Sequence, residues 1–363
     1  MDSEALDRIA TLISSRAGVI SHVEDRNTLR HAVAGRMKAL KLSHPNEYYL
    51  LLNSPGAEKE FERLLSLLMV GESYFFRDEG QFAALRDHTL PDIMRRRNGV
   101  KTIRIWSAGC ATGEEPYSLA ILMRETFGEL PDWRVSVIGS DLNPDFLAKA
   151  EKGLYRPWSF RAMPEPLRQR YFTQRGEQFQ LHDSIRRMVT FVQNDLFGGG
   201  YPDTARGLYG MDLILCRNVF IYYQPAAVEL ILGKLAATLA PDGYLLTAHS
   251  EISFIPAPGL VAKPLPDTVI YQRAVSGKGE MEATAVPQIA VPREHKAVIH
   301  APAPPAKTPS PTPQPAPLDE ARTRTWASLT APAITSIWPR KPVRLPPSRT
   351  SWRRTWRWNR VTC

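Results

Sequence analysis

The feature that most constrains the fold is an alternation of short apolar runs and helical segments that begins near residue 100. Strand-like runs occur at 102–106, 135–139, 188–195, 211–216 and 244–249. Three segments between them read as helices, namely EPYSLAILMRETF, NPDFLAKAEKG and PAAVELILGKLAATLAPDG, the last of which is predicted to end at Gly243. Strand–helix alternation on this scale predicts an α/β fold with a parallel, doubly wound sheet.

Residues 1–75 lack this alternation and are predicted to be helical. The segments EALDRIATLISSRAGV and EKEFERLLSLLMV have apolar residues three and four positions apart. Between them, the predicted helix 26–41 carries five basic side chains, Arg26, Arg30, Arg36, Lys38 and Lys41. A further stretch, 154–187, interrupts the strand–helix pattern, and its polar turn at Arg175-Gly176 predicts a small inserted hairpin subdomain.

Two segments at the C-terminal end have compositions unlike a folded domain. Residues 276–317 hold ten prolines between Pro287 and Pro317, which predicts a semi-rigid, unfolded linker. Residues 318–363 hold ten basic residues against two acidic ones, and five of the eight tryptophans, so a basic, disordered tail is expected. Because this tail supplies +8 of the net charge of +9, the remaining chain is nearly neutral and is not expected to bind nucleic acid specifically.

Neither a membrane span nor a secretory signal is expected. No run of 18 or more apolar residues occurs, and the first 20 residues include Asp2, Glu4 and Asp7. The three cysteines lie far apart and in no metal-ligand spacing. The sequence therefore predicts a cytoplasmic protein with no disulfide framework, no bound metal and no membrane insertion.

The stretch IRIWSAGCATGEEPYSLAILM, residues 103–123, places a glycine turn between a predicted strand and a predicted helix. Gly109 and Gly113 permit positive φ, but their spacing matches neither the dinucleotide-binding fingerprint nor a P-loop. Glu114 and Glu115 follow where a phosphate would need the positive end of the helix dipole. Their charge disfavours phosphate and suits a ligand with an ammonium group and ribose hydroxyls, such as S-adenosylmethionine.

Polar residues also follow the next two predicted strands. Asp141 ends the second strand, where acids of nucleotide-binding sheets accept hydrogen bonds from ribose hydroxyls. The pair Asn194-Asp195 ends the following strand, on the side expected for an adenine ring. Each acid alone fits a capping or solvated role equally well, but their occurrence at successive strand ends beside a glycine turn favours a donor site.

Six motifs occur in order along the chain: ESYFFRDEGQF at 72–82, WSAGCATGEEPYSLA, SDLNPDFLAKAEKGLY, NDLF, DLILCRNVFIYY and LAPDGYLLTAHSE at 239–251. Together they resemble the chemotaxis receptor methyltransferase family, over about residues 5–273. The resemblance implies an N-terminal helical domain (1–75) and a Rossmann-like class I methyltransferase domain (76–275) with a three-stranded β-subdomain inserted at 154–187. It also implies methyl transfer from S-adenosylmethionine to glutamate side chains of chemoreceptors, with S-adenosylhomocysteine as the product.

The resemblance further implies which residues bind the donor. A segment before the sheet supplies Gly71, Ser73 and Arg77. The residues that follow the strands are Glu115 for the methionyl ammonium, Asp141 for the ribose, Asp195 and Leu196 on the adenine side, and Arg217 and Asn218 after the fourth strand. Family members often have Asn and Thr where this chain has Gly71 and Ser73, which implies that one side-chain contact to the donor is lost or replaced by backbone.

Arg77 and Tyr222 match side chains near the transferring methyl group, so the resemblance implies catalytic roles in steering and orienting the acceptor carboxylate. Judged without the family, an arginine that caps a helix and a tyrosine that packs on the sheet are the favoured interpretations. A glutamate side chain, with a pKa of about 4.3, is ionised at pH 7 and needs no general base. No catalytic His or Cys is therefore expected, and His249 is interpreted as a packing residue at a strand end.

The expected partners are the acidic methylation helices of chemoreceptors, with the protein acting as a monomer. The basic helix 26–41 would favour their docking, although a solvated face is the favoured interpretation of such a helix. Two other functions stay open, a small-molecule O-methyltransferase and a signalling scaffold that binds the donor without methyl transfer. The basic helical domain favours a protein substrate over the first, and the presence of Arg77 and Tyr222 favours an enzyme over the second. The short hairpin at TQRGEQ leaves binding of a receptor tether peptide open.

Overall fold

The computed structural model describes residues 3–20, 25–249, 251–252, 255 and 257–274. The predicted linker 276–317 and the predicted tail 318–363 lie outside these residues. Within the described ranges, no helix is both long enough and apolar enough to cross a membrane.

A seven-stranded sheet forms the centre of the fold. The strands of the described residues are β1 (Thr102–Ala108), β2 (Arg134–Asp141), β3 (Leu154–Tyr155), β4 (Phe172–Arg175), β5 (Gln178–Leu181), β6 (Val189–Gln193), β7 (Met211–Cys216), β8 (Leu239–Thr247), β9 (Leu260–Leu265) and β10 (Thr268–Arg273). The large sheet has the order β6-β2-β1-β7-β8-β10-β9. Its first five strands are parallel, whereas β10 is antiparallel to β8 and β9. The α/β fold predicted from the alternation is confirmed.

Helices connect the parallel strands, and further helices precede β1. The connecting helices are Glu114–Phe127, Pro144–Lys152 and Pro225–Thr238, and those before β1 are Glu79–Ala84 and Leu90–Arg97, joined by a π-helical turn at Leu85–Thr89. The Asn143 side chain caps the second connecting helix by accepting a hydrogen bond from the Asp145 N–H at 2.9 Å. Gly153 ends the same helix with φ +60°, as the sequence predicts.

The core of the sheet explains why its central strands are largely apolar. Every residue of β7 is buried, and Trp106 of β1 is buried completely, with its indole N–H donating to the Ser140 hydroxyl at 2.9 Å. Ile231 and Leu235 of the helix Pro225–Thr238 belong to the same buried cluster. Because other elements cover both faces of these strands, most of their residues are apolar and buried.

The helix predicted to end at Gly243 ends five residues earlier, at Thr238, so that boundary was wrong. β8 begins at once with Leu239, whose backbone is extended (φ −63°, ψ 144°) and which pairs with Met211 of β7. Pro241 disfavours the helical conformation at the preceding residue, Ala240. The chain therefore passes directly from the helix into the strand.

The N-terminal residues form four helices in the described ranges: Ser3–Ala17, Arg26–Leu40, Pro45–Leu52 and Glu58–Leu68. They enclose a separate apolar cluster that includes Leu6, Ile13, Leu29 and Leu64. Tyr223, from the loop after β7, packs against this cluster. The helices therefore contact the sheet region close to the carboxyl end of β7.

Not all basic side chains of the helix Arg26–Leu40 are free to bind an acidic partner. Arg36 forms a bidentate ion pair with Glu60 at 2.7 and 2.8 Å, and the Tyr48 hydroxyl donates to the same carboxylate at 2.8 Å. The side chains of Arg36 and Glu60 are only 18% and 10% exposed. Arg36 therefore holds helices together, and Arg26 is paired with Asp7, so neither side chain is presented freely to an acidic partner.

A second sheet, of order β3-β5-β4, is formed by the chain between β2 and β6. Its strands β4 and β5 form an antiparallel hairpin that turns at Gly176, and the short helices Pro157–Phe160, Glu165–Tyr171 and Asp183–Arg186 flank the strands. Phe75, from the segment before the large sheet, is completely buried against Tyr155, Phe160 and Phe172, with ring centroids 4.8–5.2 Å apart. These ring contacts fix the segment around Phe75 to the inserted sheet.

Candidate functional site

A pocket opens at the carboxyl ends of the parallel strands, where open α/β sheets bind ligands. Its wall is formed by the turn after β1, by the ends of β2 and β6, by residues 217–219 after β7, and by the segment between Met69 and Arg77. Eight of the residues predicted from the sequence line it: Ser73, Arg77, Glu115, Asp141, Leu196, Arg217, Asn218 and Tyr222. Gly71 and Asp195 are absent from this lining among the described residues.

The glycine turn has the backbone that the sequence predicts. Gly109 and Gly113 have φ of +73° and +91°, and the N–H groups of Gly109 and Cys110 both donate to the Ser140 carbonyl at 2.8 Å. A Cβ on Gly109 would lie 2.6 Å from the Cγ2 of Val219. The turn is therefore held against β2, and its conformation and its packing both require glycine.

The two acids after the turn have different surroundings. Glu115 lines the pocket, accepts from the Ser107 hydroxyl at 2.7 Å and pairs with Arg217 at 3.0 Å. Glu114 is only 3% exposed and accepts from the hydroxyls of Thr112 and Ser159, at 2.7 and 3.0 Å, and burial raises its pKa. The expectation that both acids face the ligand was wrong for Glu114, which binds the inserted subdomain instead.

The Arg217 side chain forms hydrogen bonds with three other residues of the site. This side chain is 2% exposed, and its guanidinium donates to the Glu115 carboxylate, to the Arg77 carbonyl at 2.6 Å and to the side chain of Gln81. Gln81, itself buried, donates in turn to the Thr247 carbonyl at 2.8 Å. Arg217 therefore fixes the positions of Glu115 and Arg77, and Gln81 is a supporting residue that the motif-based interpretation did not single out.

Asp141 is nine-tenths buried at the end of β2, with each carboxylate oxygen already holding a backbone group. One oxygen accepts from the Ala111 N–H at 2.8 Å and the other from the Asn143 N–H at 2.9 Å. Burial raises its pKa, whereas these hydrogen bonds lower it, and the net direction is upward. The carboxylate is thus fixed on the pocket wall, where it can accept hydrogen bonds from a ligand.

After β6, the structure favours Asn194 over Asp195. Asn194 lines the pocket, is 3% exposed, and its Nδ2 has no hydrogen-bond partner among the described residues. The Asp195 carboxylate accepts from the Phe197 N–H at 2.8 Å. A buried amide donor without a partner is unfavourable unless a ligand satisfies it, so the residues present fit a nucleoside donor at this end of the pocket.

The segment before the sheet supplies several residues to the pocket. Ser73, Tyr74 and Arg77 line it, whereas Phe75 points into the aromatic cluster described above. At Gly71, a Cβ would lie 2.5 Å from the ring of Phe146. The glycine therefore allows this ring to pack against the backbone, which explains why a larger residue is absent there.

Arg77 and Tyr222 both line the pocket, and the charge of Arg77 acts on the Tyr222 phenol. Burial raises the pKa of the Tyr222 phenol, the charge of Arg77 lowers it, and that of Glu72 raises it, with a net upward shift. Tyr222 is therefore a neutral hydroxyl at physiological pH. Beside it, Glu251 accepts from the N–H groups of Asn218 and Val219, at 3.1 and 2.9 Å, and so fixes the loop after β7.

The other candidate groups are not placed for catalysis. His249 is 54% exposed, pairs with Asp78 at 2.8 Å and is absent from the pocket lining among the described residues. Cys110 and Cys216 are free and buried, and burial raises the pKa of both thiols. In the part of the chain that the structure describes, no group of His, Cys, Asp or Glu side chains could hold a metal ion.

Three features together define a class I methyltransferase. The sheet has one antiparallel strand near its edge, the glycine turn lacks phosphate-binding features, and carboxylates follow β1 and β2. The family model described as "CheR methyltransferase, SAM binding domain" matches residues 71–256. This chain belongs to the CheR methyltransferase family. It is an S-adenosylmethionine-dependent enzyme, which confirms the donor predicted from the sequence.

Three relatives illustrate the similarity. "Chemotaxis protein methyltransferase" of Escherichia coli is 33% identical over 249 residues, which cover 67% of this chain and 82% of that protein. "Chemotaxis protein methyltransferase 2" of Vibrio cholerae is 34% identical over 205 residues, covering 56% and 70% of the two chains. "Probable biofilm formation methyltransferase WspC" of Pseudomonas aeruginosa is 29% identical over 310 residues, covering 83% and 71%.

Proposed function

We propose that this enzyme methylates glutamate side chains of chemoreceptors, forming glutamyl methyl esters that adapt chemotaxis signalling. The observation that carries the proposal is that Arg77 and Tyr222 line the same pocket as Asp141 and Asn194, with the charge of Arg77 acting on the Tyr222 phenol. A cation and a neutral phenol suit a carboxylate acceptor, which needs no general base. The names of the Escherichia coli and Vibrio cholerae relatives support chemoreceptors as the substrate class.

We assign each part of the methyl donor to the pocket residues whose side chains suit it chemically. Glu115 receives the methionyl ammonium, Asp141 the ribose hydroxyls, and Asn194 with Leu196 the adenine ring. Arg217 shapes this surface by holding Glu115 in place. Asn218 contributes through its backbone, which has a φ of +57° and is fixed by a hydrogen bond to Glu251. Asp195 supports the adenine end indirectly, through the Phe197 N–H.

In the proposed reaction, the chain's own residues position the acceptor and exclude water. When bound, S-adenosylmethionine supplies a methyl group on a sulfonium that leaves as a neutral thioether. Arg77 holds one oxygen of the acceptor carboxylate, and the Tyr222 hydroxyl orients it so that the other oxygen forms the O–CH₃ bond as the CH₃–S bond breaks. In-line positioning of this kind is worth roughly 7–11 kcal/mol.

The division of the chain is part of the proposal. We treat 1–75 as a helical domain that approaches the acceptor, 76–275 as the catalytic domain, and 154–187 as the inserted subdomain. The enzyme is proposed to act as a monomer in the cytoplasm. The relatives do not favour the two other functions considered, a small-molecule methyltransferase or a donor-binding scaffold.

The direct test is incubation of the purified protein with tritiated S-adenosylmethionine and membranes that contain chemoreceptors. Label on the receptor that is released as methanol by base indicates a glutamyl methyl ester. Membranes from a receptor-free strain serve as the control. Label that appears in small molecules, or a protein that binds the donor but transfers no label, would favour the alternatives.

Replacing Asp141 with Asn is expected to weaken S-adenosylhomocysteine binding about tenfold or more, because charge-assisted hydrogen bonds contribute roughly 1.5–3 kcal/mol. Calorimetric titration measures this loss. Asp203→Asn is the matched control, since its carboxylate also accepts two backbone N–H groups, from Ala205 and Arg206, but lies outside the pocket lining of the described residues. An unchanged affinity in folded Asp141→Asn removes Asp141 from the donor site.

Arg77→Ala and Tyr222→Phe are expected to lower turnover by about tenfold or more, equivalent to roughly 1.4 kcal/mol in the transition state, while donor affinity changes less. Both residues act on the acceptor, so the effect should be in methyl transfer to receptor membranes. Tyr209→Phe is the control for loss of a phenol, because its hydroxyl accepts from Arg104 at 2.7 Å, outside the described pocket lining. Wild-type turnover in either variant denies that residue a catalytic role.

A further inference from the structure

A row of stacked side chains leads from the pocket to the surface of the inserted subdomain. The Arg77 guanidinium carbon lies 5.4 Å from the ring centroid of Tyr74, a pocket residue. Arg161 lies over the same ring at 3.6 Å and over the ring of Trp158 at 4.3 Å. We refer to Tyr74, Arg161 and Trp158 as the mouth stack. It joins the acceptor end of the pocket to a tryptophan that is 66% exposed.

The guanidinium of the mouth stack is fixed, but its acidic partner is accessible. Arg161 donates to the Trp158 carbonyl and pairs with the Glu72 carboxylate, both at 3.0 Å. The Arg161 side chain is 24% exposed, whereas that of Glu72 is 62% exposed. Two rings and a carbonyl hold the cation, so it keeps its position when Glu72 turns into solvent.

Glu72 also lies at the acceptor end of the pocket. It lines the pocket, and its charge acts on Tyr222 in the opposite sense to that of Arg77. Glu72 is thus a carboxylate held by an arginine beside the two residues assigned to the acceptor carboxylate. Arg161 therefore already binds one carboxylate at this place.

We propose that Arg161 is an acceptor-positioning residue, which binds a second carboxylate of an acidic helix in place of Glu72 while Trp158 packs along that helix. This inference rests on the proposed function. Arg77 and Arg161 lie against one ring, and helical residues one turn apart have Cβ atoms about 5–6 Å from each other, so neighbouring acids of one helix can reach both cations. The target glutamate binds Arg77, and the neighbouring acid binds Arg161.

The test measures both binding and transfer for the full-length protein. Cosedimentation with chemoreceptor-containing membranes gives a dissociation constant, and tritiated methyl transfer gives KM and kcat. For Arg161→Ala and Trp158→Ala, we expect the dissociation constant and KM to rise about threefold to fivefold, the range of partly exposed ion pairs, with unchanged donor affinity. Glu72→Gln should act in the opposite direction and lower both constants by about twofold, because it removes the competing carboxylate.

Arg168→Ala is the matched control. Arg168 also pairs with a glutamate, Glu165 at 2.7 Å, and lies 4.4 Å from the Phe179 ring, but it is outside the described pocket lining. Unchanged receptor binding in Arg161→Ala overturns the inference. Weaker receptor binding by Glu72→Gln also overturns the inference. If the Arg161–Glu72 ion pair were only structural, removing either partner would weaken binding. Receptor binding without any methyl transfer would instead refute the proposed function and leave the binding comparison valid.

Discussion

Replacing Arg217 with Met is expected to lower the free energy of unfolding by about 3–5 kcal/mol and to abolish detectable donor binding. Methionine retains much of the volume but none of the donors. Glu115 would then lose its cation, and Gln81 and the Arg77 carbonyl would lose their hydrogen-bond donor. Chemical denaturation measures the first effect, and calorimetric titration with S-adenosylhomocysteine measures the second.

Two further variants separate the ion pair from simple loss of packing. Arg217→Met combined with Glu115→Gln removes the unpaired charge and should recover part of the lost stability, although not donor affinity. Arg104→Met is the matched control, because Arg104 stacks on Tyr209 at 4.1 Å and donates to its hydroxyl outside the pocket, and should cost less than about 1 kcal/mol. If Arg217→Met unfolds at the wild-type denaturant concentration, Arg217 does not hold the site together.

Replacing Gly113 with Ala is expected to destabilise the enzyme by about 2–5 kcal/mol and to weaken donor binding. Two costs combine at this position. A left-handed backbone costs a non-glycine residue about 1–2 kcal/mol, and overpacking costs about 1–3 kcal/mol. The added Cβ would lie 2.7 Å from the Cβ of Ala150 and 3.2 Å from the Phe191 ring, so relief requires a shift of the turn that Asp141 holds.

Gly176→Ala isolates the backbone cost. Gly176 also has positive φ, at +60°, but a Cβ there meets no atom of the described residues within 4 Å. We therefore expect a loss of about 1 kcal/mol at the hairpin and unchanged donor affinity. Equal destabilisation by the two substitutions would show that close packing of the glycine turn contributes nothing, and would leave positive φ as its whole requirement.

Local chemistry made much of the fold and site predictable. The apolar runs gave β1, β2, β6 and β7 to within a few residues, because buried parallel strands need continuous apolar sequence. Family membership followed from motifs that are short and contiguous. Most of the predicted pocket residues lie together for a simple reason, which is that the carboxyl ends of parallel strands meet at one edge of a sheet.

What sequence could not supply was the direction of neighbouring side chains. Glu114 and Glu115 are adjacent, but successive residues of a helix point about 100° apart, so one faces the inserted subdomain and the other the pocket. Asn194 and Asp195, which follow β6, also point differently, since Asn194 lines the pocket and Asp195 is absent from its described lining. The end of the helix at Thr238 was likewise missed, because the pairing of Leu239 with Met211 competes with helix continuation.

By itself, then, the sequence determined an α/β methyltransferase with its glycine turn and its acids at strand ends, because each of these depends on residues close together in the chain. Only the tertiary structure decided what Arg217 does. Its partners Glu115, Gln81 and Arg77 are 102, 136 and 140 residues away, and no local pattern encodes contacts over such separations. The same holds for the mouth stack, where Glu72 and Arg161 meet across 89 residues because Phe75 packs into the inserted sheet.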